Sequence, residues 1–472
     1  MKQAQPIRQT YQVQIQALTP VHIGCGKNYI QDFDYIQEGN KIHVFNQARL
    51  FAQIEALGES AIAAFTIALE DRKLGDFIKK NNIDLKSVLL YPFSSAVKGT
   101  EIRRYIRDGL GRPFIPGSSL KGLFRSAILS RLVEEDGSEM AEKCIKNLMV
   151  TNKIIPKYAA DPIAETMLGR DAKYNLTRSL SVTDCTLDAK AVQVGDAFVT
   201  RMVTEKGQFK RKFWIPIEHV RLGASATGQV SFDQYLQEQA QGKSAFGFRA
   251  TLTLDWLLEA LRRRTERFLA AELSFLADKN GEGVQQLQDF YKKLQQDTAR
   301  LASSEAIVQF AWGSGWKAMT GELLQPEQLT RDLRNKLRLA AQPQYLDFPF
   351  PKSRRLVGKG ADVLPIGWVK LTFKDKGENN LLIVRKAVDP GQELPNKTEP
   401  AQNPLWLDID RATPGSLAQI GEKIMKLSDP TEKSQAAKKI LDKISGKEFK
   451  NIRKKAAENS EHWLNKVGAL VG

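Results

Sequence analysis

The chain has 472 residues, 42% of them hydrophobic, with 70 Lys and Arg against 54 Asp and Glu. It is long enough to bury a large core and to divide into more than one domain, and its composition excludes wholesale disorder. A formal charge of +16 and a pI of about 9.5 make polyanions the natural partners, nucleic acid first among them, although acidic proteins could use the same field.

The first element is Tyr11 to Leu18, where Val13, Ile15 and Ala17 alternate with glutamines as a half-buried strand requires. A loop follows at once, Thr19 to Lys27, whose Gly24 and Gly26 allow close backbone approach. Lys41 to Phe45 predicts a short strand and Gln47 to Leu69 a helical stretch. Phe114 to Arg131, FIPGSSLKGLFRSAILSR, reads as turn, helix start and amphipathic helix: Pro116-Gly117 marks the turn, and Ser118 or Ser119 can cap. Leu120, Leu123, Phe124, Ala127 and Ile128 make one apolar stripe. Lys121 and Arg125 share another face, close to the positive end of the helix dipole, where a phosphate would be stabilised; a capped surface helix with two solvated cations has the same features.

Arg178 to Asp188 predicts a strand, and Gly207 to Arg221 mixes Lys210, Arg211 and Lys212 with Phe209, Phe213 and Trp214. That mixture suits phosphates and stacked bases, or equally a hairpin with one buried aromatic face. A second unit is expected from about Gly223, with a strand over Phe246 to Trp256 and helix from Leu257 to Leu301 carrying Arg262, Arg263, Arg264 and Arg267 on a solvated face. Ala306 to Lys317 then repeats the earlier plan of strand and glycine loop, with a helix over Trp316 to Leu324. Phe348 to Phe373 places Lys352, Arg354 and Arg355 before a hairpin whose return strand is Trp368 to Phe373. The expected division is therefore residues 1–222 and 223–374 as two α+β units, 375–410 as a linker or long loop, and 411–472 as a basic helical region with 13 Lys and Arg against 7 Asp and Glu.

Several chemistries are excluded by spacing. Cys25, Cys144 and Cys185 are too few and scattered for a disulfide framework or zinc site, and the four histidines show no HxxH or HExxH arrangement, so no metal or other cofactor is expected. Gly313 to Ala318 matches a relaxed GxGxxG/A pattern, but no second strand ending in an acid follows it; a Walker-type Gly-Lys-Ser/Thr is absent. The polar start has no secretory signal and no run spans a bilayer, which predicts a cytoplasmic protein without membrane contact.

Three blocks, TPVHIGCG, IPGSSLKGLFRSAI, and FPKSRRLV with PIGWVKL, together with SVTDC at Ser181 to Cys185, resemble the RAMP proteins of type III CRISPR effectors. Their order is most similar to the terminal backbone subunit of the type III-A Csm complex. The resemblance implies tandem ferredoxin-like domains and a subunit that caps the CRISPR RNA near its three-prime end beside the neighbouring backbone subunit. It also implies support for guide maturation by bringing host nucleases, with target RNA met only through the guide.

On this reading Gly24, Gly26, Lys27, Gly117, Ser118, Ser119, Lys121, Gly122 and Arg125 hold RNA without choosing its sequence, and Gly313, Ser314, Gly315, Lys317, Lys352, Arg354 and Arg355 extend the groove. Related subunits cut target RNA with a loop aspartate. Asp32 and Asp34 lie in a comparable region but are expected to be turn formers, and His22 to pack under the glycine loop, so no catalytic residue is assigned. A RAMP ribonuclease and a backbone subunit of a Cmr-like or fused complex are the alternatives.

Overall fold

The computed structural model describes residues 7–375, apart from 94, 137–138, 151–157, 204–206, 241–247, 320–322, 324–328, 341 and 348–349. In the C-terminal part it describes 405, 409, 412, 416–427, 429–445, 449–460 and 462–471. Two compact units result, Met1–Arg385 and Lys386–Gly472.

The strands of the first unit are β1 (Arg8–Ala17), β2 (Gly24–Ile30), β3 (Tyr35–Glu38), β4 (Lys41–Phe45), β5 (Leu89–Phe93), β6 (Glu101–Tyr105), β7 (Phe114–Ile115), β8 (Leu180–Val182), β9 (Cys185–Thr186), β10 (Val192–Met202), β11 (Gln208–Val220), β12 (Ser225–Asp233), β13 (Asn280–Gly281), β14 (Glu305–Gln309), β15 (Ser353–Val357), β16 (Leu364–Pro365) and β17 (Trp368–Asp375). One sheet runs β14-β17-β1-β12-β9-β7, with β8 also on β12; a second runs β16-β15-β10-β11-β6-β2, with β13 on β11; β3-β4-β5 is a small third. Both large sheets take strands from each side of residue 222.

The alternation in β1 does what its sequence requires: Val13, Ile15 and Ala17 are buried while Gln14 and Gln16 are exposed. The helices are α1 (Gln47–Ala56), α2 (Glu59–Glu70), α3 (Leu74–Lys80), α4 (Leu85–Val88), α5 (Gly117–Glu135), α6 (Glu139–Val150), α7 (Asp161–Leu168), α8 (Gln234–Ala240), α9 (Leu254–Leu276), α10 (Val284–Thr298) and α11 (Arg331–Lys336). The stripe of α5 is buried throughout, in one core with Val13 and Ile15 of β1 and Leu257 and Leu261 of α9. Further along α9, Leu269 and Leu276 join a second core with Phe198, Tyr291 and Trp368.

Four local expectations are corrected. The strand expected over 246–256 is absent among its described residues. Gln237 bonds both the N–H (2.5 Å) and the C=O (3.0 Å) of Leu252, holding that segment extended without a partner strand, and Thr253 caps α9. The helix expected to run to Leu301 is two helices, broken where Gly281 and Gly283 take positive φ. The strand expected over 178–188 divides into β8 and β9 around Thr183 and Asp184. Lastly, β15 and β17 are not a hairpin: β15 pairs with β10 and β16, whereas β17 pairs with β1 and β14, because the chain crosses between sheets at Gly367. Its φ of 93° brings it against the carbonyl of Phe310, where a Cβ would lie 2.3 Å from the oxygen. Of the helix expected over Trp316 to Leu324, Trp316 to Met319 form a bend and turn instead, and 320–322 and 324 lie outside the described residues.

The second unit is helical over Leu417–Met425, Pro430–Ile444, Lys450–Glu458 and Trp463–Gly468. Ile420, Ile424, Ala437, Ile440 and Val467 form its own apolar core, and Asp429 caps the longest helix.

Candidate nucleic-acid interface

After β1 the chain turns through Thr19 and Pro20, and His22 comes to lie 2% exposed beneath the first glycine loop. Burial lowers its pKa to about 4, so the ring is neutral near pH 7, and its Nδ1 donates to the carbonyl of Glu218 at 2.6 Å. A Cβ at Gly24 would stand 3.0 Å from Nε2 of His22. Gly26 takes a φ of 78° with open space around it, and Lys27 beside it is exposed.

The second glycine loop meets the first. Trp312 N–H donates to the His22 carbonyl at 3.1 Å, and the two rings pack edge to face at 5.4 Å. Arg103 from β6 and Arg355 from β15 bring their guanidinium carbons to 5.1 and 5.2 Å from the Trp312 ring centroid. Burial, then the nearness of Arg103, lowers the pKa of Arg355, and no acidic partner of either arginine is found among the described residues. Gly313 needs its φ of 93° and packs on Ile366; Gly315, at 89°, faces open space. The Ser314 hydroxyl donates to the Ala311 carbonyl at 2.8 Å, which closes the turn.

The neighbouring cations differ sharply. Arg354 grips Glu272 of α9 through two bonds of 2.7 and 2.9 Å, and Lys317 adds a third at 3.3 Å. Glu272 is 1% exposed; burial would raise its carboxyl, yet Arg354 and Lys317 hold it below the usual carboxylate range. Lys352 has no such acid among the described residues. Its Nζ is buried without a hydrogen bond, 3.4 Å from the Tyr345 ring centroid, and burial, then Arg201, push its pKa down to about 8.

At the start of α5 the serines do not cap. The N-cap residue is Pro116, without a side-chain bond, since the helix begins before either serine. Asp184, from the SVTDC turn, instead accepts the Gly117 N–H at 2.7 Å. Only glycine fits there: a Cβ would lie 2.4 Å from the Val182 carbonyl oxygen. Ser118 and Gly122 are exposed, while Ser119, Lys121 and Arg125 are partly buried. Burial lowers the pKa of Lys121, and no acid pairs with it or with Arg125 among the described residues. No described contact joins this group to the two glycine loops.

Asp34 accepts the Ile30 N–H at 2.9 Å and Asp32 sits at φ 60°, which makes both parts of one turn after β2. Burial raises the pKa of Asp32, with Arg72 opposing. The hairpin of β10 and β11 buries Phe209, lays Arg211 over Phe198 and Trp214, and leaves Phe213 56% exposed. Sequence reasoning missed Arg103, Trp312 and Arg201. The first was readable in EIRRY, where Ile102 and Tyr105 are the buried pair and Arg103 is left outward.

The RAMP superfamily profile matches residues 14–284. The CRISPR system Cms protein Csm5 of Streptococcus thermophilus is 28% identical over 137 residues, 26% of this chain and 38% of that protein. The Enterococcus italicus protein of the same name is 26% identical over 178 residues, 31% of this chain and 49% of its own length. These alignments thus span under half of the relatives they match. Among solved structures, a chain of a Csm–crRNA–target RNA ternary complex of a type III-A CRISPR-Cas system superposes with a TM-score of 0.57 at 23% identity, covering 77% of this chain and 100% of that one. The crystal structure of T. onnurineus Csm5 gives 0.53 at 22%, covering 75% and 99%. The last two show likeness of fold. With the family profile spanning more than half its length, the chain belongs to the RAMP superfamily.

Proposed function

We propose that this chain is a CRISPR RNA-binding subunit of a type III-A Csm interference complex, capping the backbone near the three-prime end of the guide and supporting guide maturation and assembly in antiviral defence. The observation that carries this is the junction at Trp312. Two glycine loops meet there, and two arginines without acidic partners among the described residues lie over one half-buried aromatic ring. Backbone amides, planar cations and a stacking ring hold phosphates and bases of any sequence, which a subunit gripping variable guides needs. Lys27, Lys121 and Arg125 would add charge to the same task.

Its partners on this reading are the CRISPR RNA, the adjacent backbone RAMP subunit, and host nucleases that trim the guide, all in the cytoplasm. No helix among the described residues is long and apolar enough to cross a membrane. The tandem ferredoxin-like arrangement, with residues 1–222 and 223–374 as its halves and 375–410 as a linker, belongs to the same proposal. It draws support from the recurrence of strand and glycine loop at both ends of the unit. The β17-β1-β12-β9 order, with α5 and α9 as the two crossing helices, fits one βαββαβ plan drawn from both sides of residue 222 rather than from either half alone.

The test is to tag the chain in its host, purify it at moderate salt, sequence the bound RNA and identify the bound proteins. Short guides with a uniform five-prime repeat tag, together with Csm-type subunits, are expected. Heterogeneous RNA or none would refute the capping role, and Cmr-type companions would move the chain to another type III complex.

A further inference from the structure

Behind the second glycine loop lies a cleft of about 510 Å³, walled by the 313–317 loop, the 350–355 segment and Arg201 of β10. Its charge is lopsided. Its buried acid, Glu272, is already held by Arg354 and Lys317. Arg201 and Lys352 are left on the one Tyr345 ring, at 4.4 and 3.4 Å from its centroid. The Arg201 Nε and Lys352 Nζ are both buried without a hydrogen-bond acceptor. Two like charges share one ring at the cleft wall, each with an unanswered donor, and an anion that accepts from both would relieve their repulsion.

We infer that this cleft is a binding site for a phosphomonoester, held by Arg201 and Lys352 and carried on a nucleotide or on an RNA end. The dianion matters. A monoester carries close to two negative charges at neutral pH, whereas an internal phosphodiester carries one and would leave half of the repulsion in place. Trp316, packed edge to face on Phe350 at 4.9 Å, and the exposed Phe213 supply aromatic walls at the same cleft for a base. The inference does not depend on membership of a Csm complex, because it concerns the terminal phosphate rather than the guide as a whole.

The test uses the full chain with five probes: a short oligoribonucleotide ending in hydroxyls, the same oligonucleotide with a five-prime phosphate, the same with a three-prime phosphate, adenosine monophosphate, and inorganic phosphate. A terminal phosphate is expected to tighten binding about tenfold or more over the hydroxyl form. Arg201→Ala and Lys352→Gln should each remove that gain, so that the phosphate and hydroxyl forms bind such a variant alike. The Arg201→Lys with Lys352→Arg variant should retain part of the gain, which separates loss of charge from loss of fold. Tight binding of adenosine monophosphate with no gain for the RNA ends assigns the site to free nucleotides; gain for one RNA end assigns it to that end. Equal affinity of phosphate and hydroxyl forms together with no mononucleotide binding, or a gain that survives both single substitutions, overturns the inference. Failure of the hydroxyl form itself to bind would count against the RNA-binding reading instead.

Discussion

Within one cleft, Lys317 and Arg354 close on Glu272 while Arg201 and Lys352, without an acid among the described residues, share a tyrosine ring. In sequence Lys317, Lys352 and Arg354 are alike as cations in the segments marked for RNA, and Arg201 stands in a plain strand. In the fold the first pair joins α9 to β15 and to the second glycine loop, and the other pair is left with donors unmet. The long run Arg262, Arg263, Arg264 and Arg267 teaches the same lesson. Arg262 bonds the carbonyls of Ala302, Ser303 and Glu305, Arg264 those of Ala318 and Met319, Arg267 reaches Ser130 and Glu134, and Arg263 pairs with Glu259. A positive count therefore overstates the charge that can meet a ligand. What matters is which cations lack an acid.

The sharpest way to break the comparison is Glu272→Ala. It leaves Arg354, only 12% exposed, without its partner, and the loss is expected to be about 3–5 kcal/mol of unfolding free energy, read from urea denaturation of the full chain. A loss below about 1 kcal/mol would mean that the buried pair is not structural.

Next in size is a pH effect from groups buried uncharged. His22 and His219 have folded pKa values of about 4 against 6.5 when unfolded. The unfolded chain thus binds protons more readily between those values. Stability should be full above pH 6.5 and fall as pH drops toward 4, and His22→Gln should flatten part of that slope. A midpoint of denaturation that does not move between pH 7 and 5 would contradict it.

Lys352→Met sharpens the comparison from the other side. Because the folded pKa of Lys352 is about 8 and its ordinary value 10.5, the charged group opposes folding below pH 8 and ceases to do so as pH rises through that window. The substitution should raise the thermal midpoint at pH 7 and leave it nearly unchanged at pH 11, the reverse of Glu272→Ala. Smallest of all, Asp32→Ala with Asp34→Ala in the assembled complex should leave the pattern of target cleavage unchanged; loss of one discrete product would assign them a role in cutting.

Much of the fold was legible because it rests on local pattern. Period-two alternation marked β1, the buried stripe marked α5, and turn glycines fell at or beside element ends. What was not legible depends on pairing across long separations. The meeting of His22 with Trp312 spans 290 residues, and nothing in either loop alone announces it. The same holds for Asp184 at the head of α5: SVTDC reads as a continuing strand until Gly117 packs against it. Among the cations, sequence named Lys317 and Arg354, which turned inward to an acid 45 and 82 residues away, and passed over Arg103 and Arg201, which did not.

The central claim is that cations without acids hold the guide. The direct measurement is the dissociation constant of a CRISPR RNA for the full chain across a range of salt concentrations, for the unaltered protein, for Arg103→Ala with Arg355→Ala, and for Lys317→Ala. The double variant should bind more weakly, with a log–log salt slope shallower by about 1.4, two phosphate contacts at about 0.7 each on a single strand, while Lys317→Ala keeps the original slope. Identical slopes for the unaltered protein and the Arg103 and Arg355 variant would contradict the account.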